Sequence, residues 1–323
     1  MMYLFYFFIH CLSVDRSKYS DCEGTPFCKR NRFASNQNWA ALPDLSISSN
    51  NTFSIPLLSE KTQIKVLLNV NFILNNTFHI KITNFTEENG PKRFDCSKEN
   101  SIVNQKLIKT HNEYTENKNA THINLTSTNN KIIIQIRPFI LFIYENENLK
   151  FSFNGDDSLI FETTTSENTD LSNNKEDVHK TVASTFEFFD PRVKFSGLPS
   201  HTLSLNLPDT TQREAIRFYN TDINRFEVNS GMSMYGSIPY IIGHSGFNST
   251  SVFWCNPSET YVDINENKVR FISETNFVDF FVFVGSHSSV VSEFSKLTGR
   301  SPMQQYFTFG YHQCRWTYIS SNE

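Results

Sequence analysis

The segment Phe309-Gly310-Tyr311-His312-Gln313-Cys314-Arg315-Trp316 joins an apolar start to a run of large polar and aromatic residues. That order predicts a buried strand opening into a loop able to hold a ligand. In a (β/α)8 barrel the catalytic groups sit at the C-terminal ends of the strands, so the segment reads as a first barrel strand. Eight such units take roughly 250 residues, and the sequence stops at Glu323. The expectation is therefore the front of an enzyme without the residues of its chemistry. Other chemistries find less support. Gly243-His244-Ser245-Gly246 misses the G-x-S-x-G spacing of a nucleophile elbow. No phosphate-cradling glycine loop is present. The histidines are scattered without H-E-x-x-H spacing, so neither a metal nor a cofactor is expected.

The elements that would position such a site are mainly strands. Hydrophobic residues make up 38% of the 323 residues, enough for a core. A net charge of −4 with no long basic run points to neither nucleic acid nor an anionic membrane surface as partner. Phenylalanine and asparagine are frequent; the first favours strands and the second turns. Residues 1–13 form a short apolar stretch, less than the ~20 residues of a spanning helix, and read as a signal peptide; the alternative is a buried strand. Cys22 and Cys28, six residues apart around Gly24 and Pro26, read as a small disulfide loop in an oxidising compartment, with free thiols as the alternative. Cys96, Cys255 and Cys314 are an odd remainder, so at least one is expected to be free or intermolecular. Sequons at Asn50, Asn75, Asn84, Asn119, Asn124 and Asn248 are glycosylation candidates and agree with a luminal location.

Residues 14–48 read as a cysteine-stapled N-terminal extension. From 49 to 285, short apolar runs separated by Asn, Ser, Thr and Asp clusters predict a β-sandwich. Ile64–Val70, Phe78–Thr83, Lys131–Arg137, Phe139–Tyr144, Tyr261–Ile264 and Val278–Val284 are expected strands. Two polar stretches, near 97–130 and 162–182, are expected to be loops or insertions, the second mobile. Near residue 287 the period changes: Val290, Val291, Phe294 and Leu297 share one helical face, and Gly299 follows as a stop. This helix and the strand at Phe307-Thr308-Phe309 would open a barrel domain over 286–323.

Several segments, in this order, resemble glycoside hydrolase family 31: Gly197-Leu198-Pro199-Ser200-His201, Arg217-Phe218-Tyr219-Asn220-Thr221-Asp222, Met234-Tyr235-Gly236-Ser237-Ile238-Pro239-Tyr240, Val252-Phe253-Trp254-Cys255-Asn256, Glu259-Thr260-Tyr261-Val262-Asp263-Ile264, and the 309–316 segment. The early Val14-Asp15-Arg16-Ser17 and the cysteine loop are similar to the branch of that family found in the endoplasmic reticulum. The resemblance implies a galactose-mutarotase-like β-sandwich followed by the first helix and strand of a truncated barrel. It also implies a retaining α-glucosidase that works with two aspartates in Trp-x-Asp-Met-Asn-Glu-type motifs. No such motif occurs in the sequence, so no catalytic residue is named and the chain is expected to be inactive. Asp222, by the same resemblance, would accept hydrogen bonds from sugar hydroxyls; the alternative is a turn aspartate capping its own backbone. Arg315 and Trp316 would bind substrate at the barrel mouth, with Trp316 stacking on a glucose ring; the alternative is a structural pair. His312 reads as a satisfied core histidine. The implied partners are a glucosylated N-glycan and a lectin-like beta subunit, in the endoplasmic reticulum lumen, with no membrane span. The competing reading is a non-catalytic carbohydrate-binding or scaffold sandwich.

Overall fold

The structure, a computed structural model, describes residues 14, 16, 19–74, 76–86, 93–99, 101–109, 112–163, 180–223, 225–315, 317 and 319–320. The expected signal segment 1–13, Asn75 and Trp316 lie outside these residues, as do 164–179 of the second polar stretch.

Alternating apolar side chains on successive strands build two antiparallel sheets with an apolar face each. The first runs Trp39–Ala41, Thr52–Ser59, Lys65–Ile73, Thr77–Asn84, Val278–Ser286, Asn248–Trp254, Tyr240–Ser245 and Lys194–Gly197, with Ile47–Ser49 paired on Thr52–Ser59. The second runs Ile216–Phe218, Thr260–Asn265, Lys268–Ser273, Val182–Phe188, Asn148–Phe153, Ile140–Glu145, Asn130–Gln135, His122–Thr126 and Thr115–Lys118, with Ile160–Phe161 paired on Val182–Phe188. The early strands Thr52–Asn84 meet the late strand Val278–Ser286 in register, Phe280 opposite Ile80. The inner faces interdigitate through aromatic rings. Phe186 of the second sheet lies 4.8 Å from Phe280 and 5.9 Å from Trp254 of the first, all three buried. Trp254 Nε1 crosses the interface to donate to Ser273 Oγ at 2.9 Å. A buried indole N–H needs such a partner.

Both outer faces are covered. Helix His287–Thr298, N-capped by Ser286 and stopped at Gly299 with φ 103°, lays Val290, Phe294 and Leu297 on the first sheet. Phe294 stacks on Tyr240 at 3.9 Å. Beside it, Cys96 is bonded to Cys255, tying residues 93–99 over a buried polar cluster. In that cluster His79 Nε2 lies 2.7 Å from Asp279 Oδ1, and Lys81 pairs with Asp95 and Asp279. Burial alone would raise the Asp279 pKa, but His79 and Lys81 overcome it and hold the carboxyl below its usual range. On the second sheet, helix Pro26–Asn31 and the Cys22–Cys28 bridge pack Phe27 against Tyr261 and Ile272. Arg32 makes a buried bidentate pair with Asp263, both bonds 2.8 Å, the geometry that suits guanidinium to carboxylate.

Three features differ from expectation. Residues 97–130 are not a structureless insertion: they contain a helical turn, Gln105–Ile108, and the strands Thr115–Lys118 and His122–Thr126. Ile123 and Leu125 alternate inward there, a two-residue signal hidden in polar sequence. The expected strand at Phe307-Thr308-Phe309 is instead a 3-10 turn, Tyr306–Phe309, closed by Gly310 N–H on Phe307 O at 3.0 Å. Residues 309–315 are exposed rather than buried. A strand needs a neighbour to take its N–H and C=O groups, and none lies alongside among the described residues. His312 is accordingly exposed, its Nε2 3.2 Å from Thr308 O, rather than in a core.

Phe186 touches aromatic rings of both sheets, so Phe186→Ala should lower unfolding free energy by about 3–5 kcal/mol through lost burial and a residual cavity. Equilibrium urea unfolding measures this; a loss under 1 kcal/mol would mean the two faces are not interlocked there.

Candidate functional site

Among the described residues between Gly197 and Pro239 the chain has little regular structure, only the strand Ile216–Phe218. Side-chain bonds must therefore hold it. Gly197 starts the segment with φ 105°, and a Cβ there would sit 2.5 Å from Tyr240 O, so the turn requires glycine. His201 bridges it: Nδ1 is 2.7 Å from Leu198 O and Nε2 2.8 Å from Arg217 O. Burial pushes the His201 pKa down, against the two carbonyls, which favour the imidazolium. Ser200 N–H donates to Gly236 O at 3.1 Å, and a Cβ on Gly236 would meet Ser200 Oγ at 2.8 Å. The Gly-Leu-Pro-Ser-His and Tyr-Gly-Ser-Ile-Pro segments are thus two halves of one packed turn.

Arg217 lies beneath this turn, 8% exposed. Its Nε donates to Glu259 Oε1 at 2.7 Å and its Nη1 to Ser233 Oγ at 3.3 Å, while its guanidinium lies 4.7 Å from the Tyr219 ring centre. Ser233 Oγ is 2.9 Å from Thr221 Oγ1, and Thr221 N–H donates to Met234 O. The loop bearing Asp222 is therefore tied to the segment bearing Tyr235.

Asp222 is exposed. The Tyr235 hydroxyl lies 2.7 Å from its Oδ1 and 2.8 Å from Ile223 O. That bond to the carboxylate raises the Tyr235 pKa and keeps the phenol a donor. Asp222 Oδ2 accepts no hydrogen bond among the described residues. Tyr235, the donor to that carboxylate, is 61% exposed, and Tyr219, earlier in the same loop, is 51% exposed. Such a carboxylate can take a ligand hydroxyl, and the rings can pack on the ligand's C–H face. Arg315 is not part of this cluster as described: it is exposed, and its Nε donates to Thr317 O at 2.8 Å.

Sequence reasoning passed over the braces of this loop. Arg16 reaches from the N-terminal extension to two carboxylates, Glu227 (Nε–Oε1 2.9 Å) and Glu214 (Nη1–Oε2 3.0 Å), beside a surface cavity of about 280 Å³. Its hydrogen bond holds the Glu227 carboxyl below the usual range. Arg16 thus bridges Glu214 and Glu227 as a clamp. Arg16, Arg217, Tyr235 and His201 all fall inside the motif segments quoted above, but motif membership alone carried no role for them. Among the described residues no cluster of three or more His, Cys, Asp or Glu could hold a metal ion.

Of the sequons, Asn50, Asn119 and Asn248 are exposed, whereas Asn84 and Asn124 are half-buried. Cys314 is a free, exposed thiol.

Comparison with known proteins follows from this geometry. A family model described as the glycosyl hydrolase 31 N-terminal galactose mutarotase-like domain matches residues 67–263. Neutral alpha-glucosidase AB of Sus scrofa is 26% identical over 377 aligned residues, spanning 95% of this chain and 40% of that protein. Glucosidase 2 subunit alpha of Schizosaccharomyces pombe is 36% identical over 143 residues, 39% of this chain and 16% of its own length. Among solved structures, the Tris-bound glucosidase II alpha subunit superposes with a TM-score of 0.82 at 20% identity, over 94% of this chain and 40% of that one. The catalytic subunit in an ER glucosidase II heterodimer with the binding domain of the regulatory subunit gives 0.80 at 21% identity, over the same shares. These superpositions establish a shared fold. The chain spans about 40% of the length of the longest-matching curated relatives.

Two outcomes test the loop architecture. Arg16→Gln should raise amide exchange at 213–215 and 225–231 at neutral pH and leave the sheet amides, those of Ile216–Phe218 included, unchanged; uniform protection in both proteins would show that the clamp holds nothing. His201 has a folded pKa below its unfolded value, so the unfolded chain binds the extra proton first and stability rises with pH through the region below about 6.5. Unfolding free energy measured at pH 5.5 and 7.5 should therefore differ in favour of 7.5, with His201→Gln flattening that slope.

Proposed function

The chain belongs to glycosyl hydrolase family 31, whose N-terminal galactose mutarotase-like domain it carries, and from that premise we propose that it is the substrate-facing front of a retaining α-glucosidase. The substrate is α-linked glucose on N-glycans, and the location is the endoplasmic reticulum lumen. The observation that carries this reading is the Asp222 loop: the buried Arg217 guanidinium pairs with Glu259, Tyr235 donates to one carboxylate oxygen of the exposed Asp222, and the other oxygen accepts no hydrogen bond among the described residues. A glucose residue seated there donates a hydroxyl to Asp222 Oδ2 and lays its C–H face on an aromatic ring.

Bond cleavage requires two carboxyl groups about 5–5.5 Å apart, one of them protonated. The sequence contains no Trp-x-Asp-Met-Asn-Glu segment, so the 323 residues recognise sugar without cleaving it. Domain limits of 14–48 for the stapled extension, 49–285 for the sandwich and 286–323 for the barrel approach follow this reading, as does a signal peptide over 1–13. Arg315 and Trp316 then belong to the barrel approach. Two disulfides and exposed sequons support the lumen as the compartment. The heterodimeric relative supports a regulatory beta subunit as partner. A non-catalytic sandwich makes the same demand of Asp222 and differs only in having no catalytic residues to join; the coding sequence after codon 323 separates the two, since only the first requires a downstream Trp-x-Asp-Met-Asn-Glu.

The purified chain should show no turnover of 4-nitrophenyl α-glucoside above buffer. Turnover that tracks the protein through purification would sink the assignment of the acids elsewhere. In saturation-transfer NMR with nigerose, an α-1,3-linked glucose disaccharide, Asp222→Ala should weaken binding roughly tenfold, the scale of a charge-assisted hydrogen bond; unchanged binding would remove Asp222 from the site.

A further inference from the structure

We propose that Asn119 is the acceptor of an N-linked glycan, presented by the tight turn Asn119–His122 at one edge of the second sheet. The proposal rests on the luminal reading above, since the donor is an oligosaccharide carried on a lipid pyrophosphate and the catalyst is a luminal transferase. In the transfer, the Asn119 amide nitrogen bonds to the anomeric carbon. The bond from that carbon to the pyrophosphate oxygen breaks, the lipid pyrophosphate leaves, and one amide proton passes to a base of the transferase.

The sequon pattern marks every such asparagine alike; the turn sets Asn119 apart. It joins Thr115–Lys118, the edge strand, to His122–Thr126. Asn119 N–H donates to His122 O at 2.9 Å and closes it. Three donors converge on one side-chain atom, Asn119 Oδ1: Thr121 N–H at 2.9 Å, His122 N–H at 2.8 Å and the Thr121 hydroxyl at 3.1 Å. An atom that receives three donors is the amide oxygen. Nδ2 is therefore the open end, and Asn119, Ala120 and Thr121 are all exposed. Donors on Oδ1 stabilise the negative charge that collects there as Nδ2 gives up its proton. The Thr121 hydroxyl also lies 2.8 Å from His122 Nδ1. With Nδ1 donating, the hydroxyl proton is directed at Asn119. Each of these bonds spans at most three residues, as in an Asx turn. The arrangement thus needs no distant partner and is available before the sheets close.

Other sequons lack this arrangement. Asn124 lies within the strand His122–Thr126, half-buried, between the buried Ile123 and Leu125. It stands opposite Asn117 on one side and Ile133 on the other. At Asn248 the threonine of the sequon is Thr250, whose hydroxyl is buried and makes no hydrogen bond, so it gives Asn248 no donor. A glycan on Asn119 also stays clear of the Asp222 loop. Ile216–Phe218, which leads into that loop, is the opposite edge strand of the same sheet.

The test is expression of the full chain in eukaryotic secretory cells in two forms, as it stands and behind a foreign secretory leader. Peptide N-glycanase in ¹⁸O water then marks each glycan-bearing asparagine for mass spectrometry. Behind the foreign leader, most molecules should be marked at Asn119 and few at Asn124. Thr121→Ala should lose the Asn119 glycan alone and keep the fold, because Thr121 N–H and His122 N–H still hold Oδ1; thermal unfolding verifies this. Glycans elsewhere with Asn119 bare, equal marking of Asn119 and Asn124, or no glycan at all behind the foreign leader overturns the Asn119 site. Marking of Asn119 only behind the foreign leader keeps the site and overturns the luminal reading, so the two proposals fail separately.

Discussion

Contact between the aromatic inner faces of the two sheets is the constraint on which the rest of the molecule depends. Phe151, Phe153, Phe186 and Phe271 from one sheet meet Trp254 and Phe280 from the other, all buried. Rings of this size contribute most of the apolar area that a sandwich removes from water. Their packing holds Asn248–Trp254 and Thr260–Asn265 in place; Glu259, just before the second of these strands, anchors Arg217, and Asp263, within it, anchors Arg32. The loop bearing Asp222 and the segment stapled by Cys22–Cys28 are therefore tied back to the same core.

The loop at 197–238 achieves order without regular secondary structure. Four polar anchors replace a hydrogen-bonded ladder: His201 on two carbonyls, Arg217 on Glu259, Tyr235 on Asp222 and Arg16 on two glutamates. They differ in depth. Arg217 is buried and His201 half-buried, so their bonds gain from the lower surrounding dielectric. The Arg16 side chain is 47% exposed, and its pairs are weakened by solvent and salt. The inner half of the loop is accordingly the stiffer one, and the Asp222 edge sits where stiffness gives way to solvent. Binding residues carried on loops braced by a rigid scaffold are a common solution.

Both outer faces of the sandwich carry charge beneath a covering segment. On one, His79, Lys81 and Asp279 lie under residues tied down by the Cys96–Cys255 bridge. On the other, Arg32, Asp263 and Arg270 lie under the extension stapled by Cys22–Cys28. Buried charges of this kind add little net stability, but breaking one partner is costly. They fix where the covering segments sit.

How much of this was legible in the residue order depends on the range of each interaction. Period-two runs such as Phe78–Thr83 and Val278–Val284 announce strands, and Val290, Phe294 and Leu297 announce a helix ended by Gly299, because side-chain direction follows from neighbours a few positions away. The family motifs marked the segments that make the candidate site. What the order of residues left open are the pairings between distant positions. Cys96 finds Cys255 across 159 residues and Arg16 finds Glu227 across 211. The turn at Tyr306–Phe309 was misjudged for the same reason, since a strand exists only when another chain segment pairs with it. Residue type and spacing determined the strands, the helix and the chemistry on offer; only the tertiary structure decided which charges meet, because those energies arise between groups that the chain brings together after the sheets have closed.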